Sequence, residues 1–448
     1  MKHILLVAAS AVLLSSPAWG QVASTATYYI DPVNGNDANP GTQSQPFRTL
    51  GQGVSVLTPG DTLYVRAGTY NGVTDNAIPG GTSWSAPVTV AAYPGEQPVL
   101  VPKSSGGFVL SFYNNQYIVI DGFMVDATGG YDGMRIGASS HHIRIQNSEI
   151  KNAPQQGILI GGDDNEFLNL KLHDNGQICE GEGLGLCHGI YIQTKRNLLE
   201  RSEIYDNWGW GVHLYNTPGG ADNNVVRNNK IYNNGRSGRG PGMILSEGDG
   251  NIAYNNILWG NRKGGIQIDF GVTNPQAYNN TVYANDDGSG VGGIYIGQYS
   301  SGAIIRNNIV YNNLGFGQIT NDGSGTTIES NLTADPQLVN PAAGDFHLQS
   351  SSPAIDVGLT LLEVPTDIDG VSRPQGSGYD IGAYEFKVGG TLRGDLNGDG
   401  KRDLADVRGL IYMLLGQQDK TPEAELTGDG AVTLADVQAL IKLMVGMP

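Results

Sequence analysis

Between residues 188 and 299, apolar and polar side chains alternate in five short segments that align on one another. They are HGIYIQT (188–194), WGVHLYN (210–216), PGMILSEG (241–248), GGIQIDF (264–270) and GGIYIGQ (292–298). A period of two marks a strand with one buried face. Ile190/Ile192, Val212/Leu214, Met243/Leu245, Ile266/Ile268 and Ile294/Ile296 are therefore predicted to stack as core. GMRIG (133–137) and GILIG (157–161) fit the same register. A second phrase recurs between them: ERSEIYDN (200–207), RNNKIYNN (227–234), YNNILWGN (254–261), YNNTVYAN (278–285) and RNNIVYNN (306–313). One coil per 22–32 residues predicts a solenoid, with coils over about 105–330. Asn147, Asn169, Asn228, Asn255, Asn279 and Asn307, interrupted by Arg201, are predicted to hold a left-handed turn and to bond from coil to coil.

The same alternation predicts two outward columns. One holds Arg135, Leu159, Tyr191, His213, Ile244, Gln267 and Tyr295; the next holds Gly137, Gly161, Gln193, Tyr215, Ser246, Asp269 and Gly297. Rungs about 4.8 Å apart make Tyr191 and His213 neighbours. His188 precedes this pair, and Lys195 and Trp210 lie at the strand margins. Aromatic and polar side chains on one face suit a sugar chain, with rings stacking and hydroxyls hydrogen-bonding. Two chemistries fit. β-Elimination from a uronate needs a carboxylate holder, a base and an acid. His213 is the candidate base, Tyr191 or Tyr215 the acid, and Gln193, Gln267 or His188 the holder, with Arg135, Lys195 and Trp210 as further substrate contacts. Hydrolysis needs two carboxylates about 5–9.5 Å apart, for which Asp269 and Glu247 are the candidates. A non-catalytic glycan-binding face is the third reading.

The run TYYIDPVNGNDANPGTQSQPFRTL (27–50), with PGDTLYVRAGTYNG (59–72) and APVTVAAYPGEQPVLV (86–101), resembles the opening of secreted right-handed parallel β-helix, pectate-lyase-like carbohydrate-active proteins. The resemblance implies an all-β, right-handed parallel β-helix over 27–333 with an N-terminal cap. Residues 334–386 resemble the closing segment of such proteins and are expected to cover the open edge of the last coil. Some relatives carry paired Asp residues for calcium and a Lys base on the strand face. Asp163–Asp164 follow a strand here, but no Lys stands on either outward column, so that chemistry is not expected.

Residues 387–394 read as a Gly-rich linker before a duplicated unit over 395–446. DLNGDGKRDLAD (395–406) and ELTGDGAVTLAD (425–436) place oxygens at the spacing calcium takes around a sharp Gly turn. The ligands of loop one are Asp395, Asn397, Asp399, the carbonyl of Lys401, and Asp406. Those of loop two are Glu425, Thr427, Asp429, the carbonyl of Ala431, and Asp436. Each loop precedes one helical pattern. The arrangement resembles a type I dockerin module, which implies calcium and a cohesin-bearing scaffold protein as partner.

Residues 1–20 read as a secretory signal, and no other apolar run is long enough to cross a membrane. In an exported chain, Cys179 and Cys187 are expected to form a disulfide. The net charge of −17 argues against nucleic acid as a partner. The combined expectation is a secreted lyase acting on a uronate-containing polysaccharide, with calcium in the tail and no metal assigned to the strand face.

Overall fold

The computed structural model describes residues 25–72, 76–179, 186–215, 220–387, 394–397, 402–418, 420–421, 424–428 and 430–444. The signal at 1–20, most of the linker, and the loop residues Asp399, Lys401 and Asp429 lie outside the described residues. Three parallel sheets of twelve, ten and nine strands each follow chain order from coil to coil. The inward side chains are core: Met134, Ile136, Ile158, Ile160, Ile190, Ile192, Val212, Leu214, Met243, Leu245, Ile266, Ile268, Ile294 and Ile296 are fully buried.

Coiling begins earlier than the sequence pattern places it. Thr27–Ile30 already pairs with Thr62–Val65, and Thr69–Asn71 with Val99–Val101. Only the nine-stranded sheet starts near the expected point, at Leu110–Phe112. Helix α1 (Leu50–Ser55) closes the N-terminal end. The Thr49 hydroxyl accepts from the Gln52 amide at its start, and the Asp37 carboxylate accepts from the Arg48 and Thr49 amides.

At the corner between the twelve- and ten-stranded sheets, the predicted Asn column bonds from coil to coil at two steps, Asn169 Nδ2 to Asn147 Oδ1 at 2.8 Å and Asn307 Nδ2 to Asn279 Oδ1 at 3.4 Å, while the continuous ladder falls to the next residue. Asn147, Asn169, Arg201, Asn228, Asn255, Asn279 and Asn307 all take positive φ, between 48° and 58°. The residue after each of the last four turns inward and builds the continuous ladder. Asn229 donates its backbone amide to Asn256 Oδ1, Asn256 to Asn280 Oδ1, and Asn280 to Asn308 Oδ1, at 2.9–3.1 Å. The left-handed residue reverses the chain, so its own side chain faces outward. The next amide faces a dry interior and must bond along the axis. Two further buried ladders run through Asn165–Asn197–Asn224–Asn251 and Asn175–Asn207–Asn234–Asn261–Asn285–Asn313.

The closing segment does not lie over the last rung. It straps the flank of the solenoid along that same corner. Asn255 Nδ2 donates to the Thr366 carbonyl at 2.7 Å, Asn279 Nδ2 to Asp380 O at 3.0 Å and Asn307 Nδ2 to Leu359 O at 2.8 Å. The Arg373–Glu385 pair, 2.6 Å apart with both side chains fully buried, joins the strap, and Arg373 also reaches Asn255 Oδ1. Outward apolar residues Ile257, Trp259 and Ile309 need cover and receive it from Phe346 and Ile381. On the last rung Ile328 remains 41% exposed.

In the tail, α2 (Leu404–Leu414) and α3 (Leu434–Met444) pack through Leu410, Met413, Val437 and Leu440.

Candidate functional site

The nine-stranded sheet places both outward columns as the alternation predicts. Its register pairs Arg135 with Leu159, Leu159 with Tyr191, Tyr191 with His213, His213 with Ile244, Ile244 with Gln267, and Gln267 with Tyr295. Ser246 pairs with Asp269 in the neighbouring column.

His213 is the centre of the cluster. Its ring stacks on Tyr191 at 4.9 Å and on Trp210 at 5.2 Å, and Tyr215 lies 5.5 Å away. Its Nδ1 is 2.8 Å from His188 Nε2. Burial pulls the His213 pKa down to about 3 and holds His188 well below the ordinary imidazole range, the nearby His213 adding to the effect. Both rings are therefore neutral at physiological pH. Burial also raises the Tyr191 phenol, and Gln193 hydrogen-bonds to it.

His188 is fully buried, which overturns its expected role as a substrate carboxylate holder. It lies beneath Tyr191, Trp210 and His213, with ring centroids 4.6–5.1 Å away. Position 188 falls two residues before the strand Ile190–Ile192, where alternation no longer fixes which way a side chain points. Cys179 and Cys187 are disulfide-bonded and fully buried, and Cys187 directly precedes His188.

Lys195 lies at the strand margin, 38% exposed, with its ammonium paired to Asp222 at 2.6 Å. The Asp163–Asp164 pair is taken up by Arg196 of the next coil, at 3.2 and 2.6 Å. Gln267 and Asp269 come together, with Gln267 Nε2 donating to Asp269 Oδ2 at 3.2 Å. A side chain at Gly297 would collide with this carboxylate, a Cβ there lying 2.0 Å from Asp269 Oδ1. Glu247 takes positive φ just past its strand. Its Oε2 is buried with no partner among the described residues, and burial raises its pKa.

At the other end of the column lies a cavity of ≈ 390 Å³, walled by Phe108, Tyr131 and Tyr191. The Arg135 guanidinium sits over the Phe108 ring at 5.1 Å. Asp132, 2% exposed, lines the same cavity and accepts from the Gln156 amide at 3.1 Å. Burial pushes its pKa up to about 6, against the opposing pull of Arg135. Sequence reasoning missed Asp132. The available signal was its place in YDGMRIG, one residue before the Gly that opens each repeat. Among the described residues, no three His, Cys, Asp or Glu side chains cluster as metal ligands.

The face can bind a sugar chain against its rings, hold a carboxylate at Arg135, and present a neutral imidazole flanked by phenols.

Residues 28–186 match the family described as Pel9A-like, right-handed β-helix region. Residues 108–282 and 185–333, together half of the chain, match the right-handed β-helix region family. The chain is 26% identical over 255 residues to pectate lyase PEL9 of Emericella nidulans, covering 55% of this chain and 50% of that one. It is 27% identical over 307 residues to YwoF of Bacillus subtilis, covering 64% and 62%. These two alignments thus span only about half to three-fifths of the relatives' own length. The match to pectate lyase L of Dickeya dadantii, 23% identical over 403 residues, covers 82% of this chain and 87% of the relative. Among solved structures, pectate lyase Pel9A superposes with a TM-score of 0.62 at 19% identity, covering 82% of this chain and 97% of that one, a likeness of fold. The chain belongs to the right-handed β-helix family, its N-terminal coils matching the Pel9A-like form of that fold.

Proposed function

We propose that this chain is a secreted polysaccharide lyase that cleaves a uronate-containing polysaccharide by β-elimination on the outward face of the nine-stranded sheet. The observation that carries the reading is the stacked Tyr191–His213 pair, on neighbouring rungs of the column that also holds Arg135. Similarity to proteins named pectate lyases supports the reaction class. Export rests on the signal read at 1–20. Among the described residues no helix is long and apolar enough to cross a membrane.

Elimination breaks the C5–H and C4–O bonds and forms the C4–C5 double bond. The C5 proton goes to a base, and the leaving oxygen takes up a proton. Arg135 and Gln267 bracket the face five rungs apart and can hold carboxylates of sugars well separated along one chain, while Tyr191 and Trp210 give ring surface. Tyr215, beside His213, is the acid for the leaving oxygen. His213 meets the substrate with its Nε2 edge, since Nδ1 is occupied by His188. In one tautomer that edge carries a lone pair and removes the C5 proton. In the other it carries N–H and bonds the substrate carboxylate, and a separate group takes the proton.

The duplicated tail is proposed to bind calcium and to dock on a cohesin-bearing scaffold protein. Asp406 and Asp436 are fully buried, and each accepts from three backbone amides. No Lys or Arg pairs with either among the described residues. A buried carboxylate without a cationic partner fits a bound cation. Asp395, Asn397, Asp399, the Lys401 carbonyl and Asp406 would hold one ion. Glu425, Thr427, Asp429, the Ala431 carbonyl and Asp436 would hold the other. When bound, calcium supplies charge compensation that orders each loop before its helix.

The test is ultraviolet absorbance of the purified protein on pectin, alginate, glycosaminoglycans and neutral glucans, with calcium and with chelator. A rise on one uronate polymer reports the conjugated unsaturated end and names the substrate. Reducing ends without that absorbance would replace elimination by hydrolysis at Asp269 and Glu247. Binding without either product would make the face a glycan-binding surface.

A further inference from the structure

His188 is a titratable side chain, fully buried beneath the site, that the proposed chemistry leaves without a task. One ring nitrogen, Nε2, meets His213 Nδ1 at 2.8 Å, and the other, Nδ1, has no partner among the described residues. The two rings are neutral, so each carries one proton and the pair shares one hydrogen bond. Only two arrangements satisfy that bond. If His213 Nδ1–H donated, neutral His188 would carry its proton on Nδ1, as a buried N–H without an acceptor. If His188 Nε2–H donates, its Nδ1 is a bare lone pair, and the pair holds no orphaned donor. Buried donors without acceptors are the rarer case in folded proteins, and under-satisfied acceptors the commoner one.

We propose that His188 is a positioning residue: it donates Nε2–H to His213 Nδ1 and so fixes His213 in the tautomer whose Nε2–H faces the groove. Trp210 and Tyr191 stack on the His213 ring and keep it from turning over. Cys187 and its disulfide anchor the backbone one residue before His188. Cys187 is itself seated between coils, where a Cβ at Gly176 would lie 2.6 Å from its Cβ and one at Gly209 would lie 2.5 Å from its carbonyl oxygen.

The catalytic consequence rests on the lyase reading, whereas the tautomer does not. With Nε2–H outward, His213 is a neutral hydrogen-bond donor to the substrate carboxylate, and it stabilises the charge that develops there as the C5 proton leaves. It does not give up that proton, because doing so would leave an anionic imidazole in a buried site. It is not the base either, because it shows the groove no lone pair. The C5 proton goes to another group on the face.

The deciding measurement is the long-range proton–nitrogen correlation spectrum of the 15N-labelled full chain at neutral pH, assigned with His188→Gln and His213→Gln. The expected result is a protonated-type shift for Nε2 and a bare-type shift for Nδ1 in both rings. A bare His213 Nε2 overturns the proposal. On the uronate polymer, His188→Leu, which removes the donor, should lower kcat by about 100-fold with KM within about two-fold. His188→Gln, which keeps an N–H at the same reach, should recover most of the loss. A His188→Leu protein that folds and retains both the His213 tautomer and kcat also overturns it. The expected nitrogen shifts without turnover of any uronate polymer would sink the lyase reading and leave the tautomer assignment standing.

Discussion

Tyr191 and His213 stack across adjacent rungs with ring centroids 4.9 Å apart and planes 21° apart. The distance is that of the rung spacing, so the contact follows from register alone. A groove built this way holds its groups at fixed separations without needing a loop to close.

Removing either ring should separate chemistry from binding. His213→Ala should lower kcat about 10²- to 10³-fold, with retained affinity for oligosaccharide measured by calorimetry. Tyr191→Phe keeps the stack and loses only the hydroxyl, so its loss of kcat should be smaller than that of Tyr191→Ala. Equal losses for the two Tyr191 variants would show that the phenol, and not the ring, is what matters.

Two buried groups should give opposite pH dependences of stability. The folded-state pKa of His213, about 3, lies below the ordinary 6.5. Between those values the unfolded chain binds a proton that the native state refuses, so stability rises with pH there and is complete above about 6.5. Asp132 is raised from 3.8 to about 6. Between those values the native state keeps a proton the unfolded chain has lost, so stability falls as pH rises. Each contributes at most about 1.4 kcal/mol per pH unit in its window. Urea unfolding of His213→Gln and Asp132→Asn from pH 4 to 6.5 should shift the wild-type slope in opposite directions, and shifts of the same sign would refute the assignment.

The inward ladder should matter more than the corner that introduces it. Asn256→Ala leaves the Asn229 amide, the Asn229 side chain and the Val226 carbonyl without their partner. That should cost about 3 kcal/mol or more. Asn228→Ala, at the left-handed corner, should cost about 1–2 kcal/mol. Denaturant midpoints of the two variants provide the check.

Calcium should act on the tail. Adding the ion to chelator-treated full-length protein should give heat in calorimetry and raise the melting of α2 and α3. Asp406→Ala with Asp436→Ala should abolish both effects and leave lyase turnover unchanged. Heat that persists in the double variant would place the ion elsewhere.

Much of this was legible along the chain. Inward pairs such as Ile190 and Ile192 and the outward order from Arg135 to Tyr295 follow from a period of two, because a strand has only two faces. The coil repeat gave the solenoid and its left-handed corners. Positions off the strands were not legible. His188 and Asp132 lie just outside the alternation, and Lys195 at a strand margin could as well have reached the groove as Asp222. The closing segment was recognisable as such, but its resting place was not. It follows the outward Trp259 and the side-chain amides of Asn255, Asn279 and Asn307, spread over residues 255–307 of the sequence.

The sequence by itself therefore determined the repeat, the core register and the order of side chains on the outer face, since all three are local properties of alternating strands. Tertiary structure alone decided which polar groups reach the outer face and which lie beneath it. That choice depends on burial and on partners one coil away. His188, chemically indistinguishable from His213 in the sequence, ends beneath the groove while His213 lines it, because stacked coils bring Tyr191 and Trp210 down over the first and leave an edge of the second open.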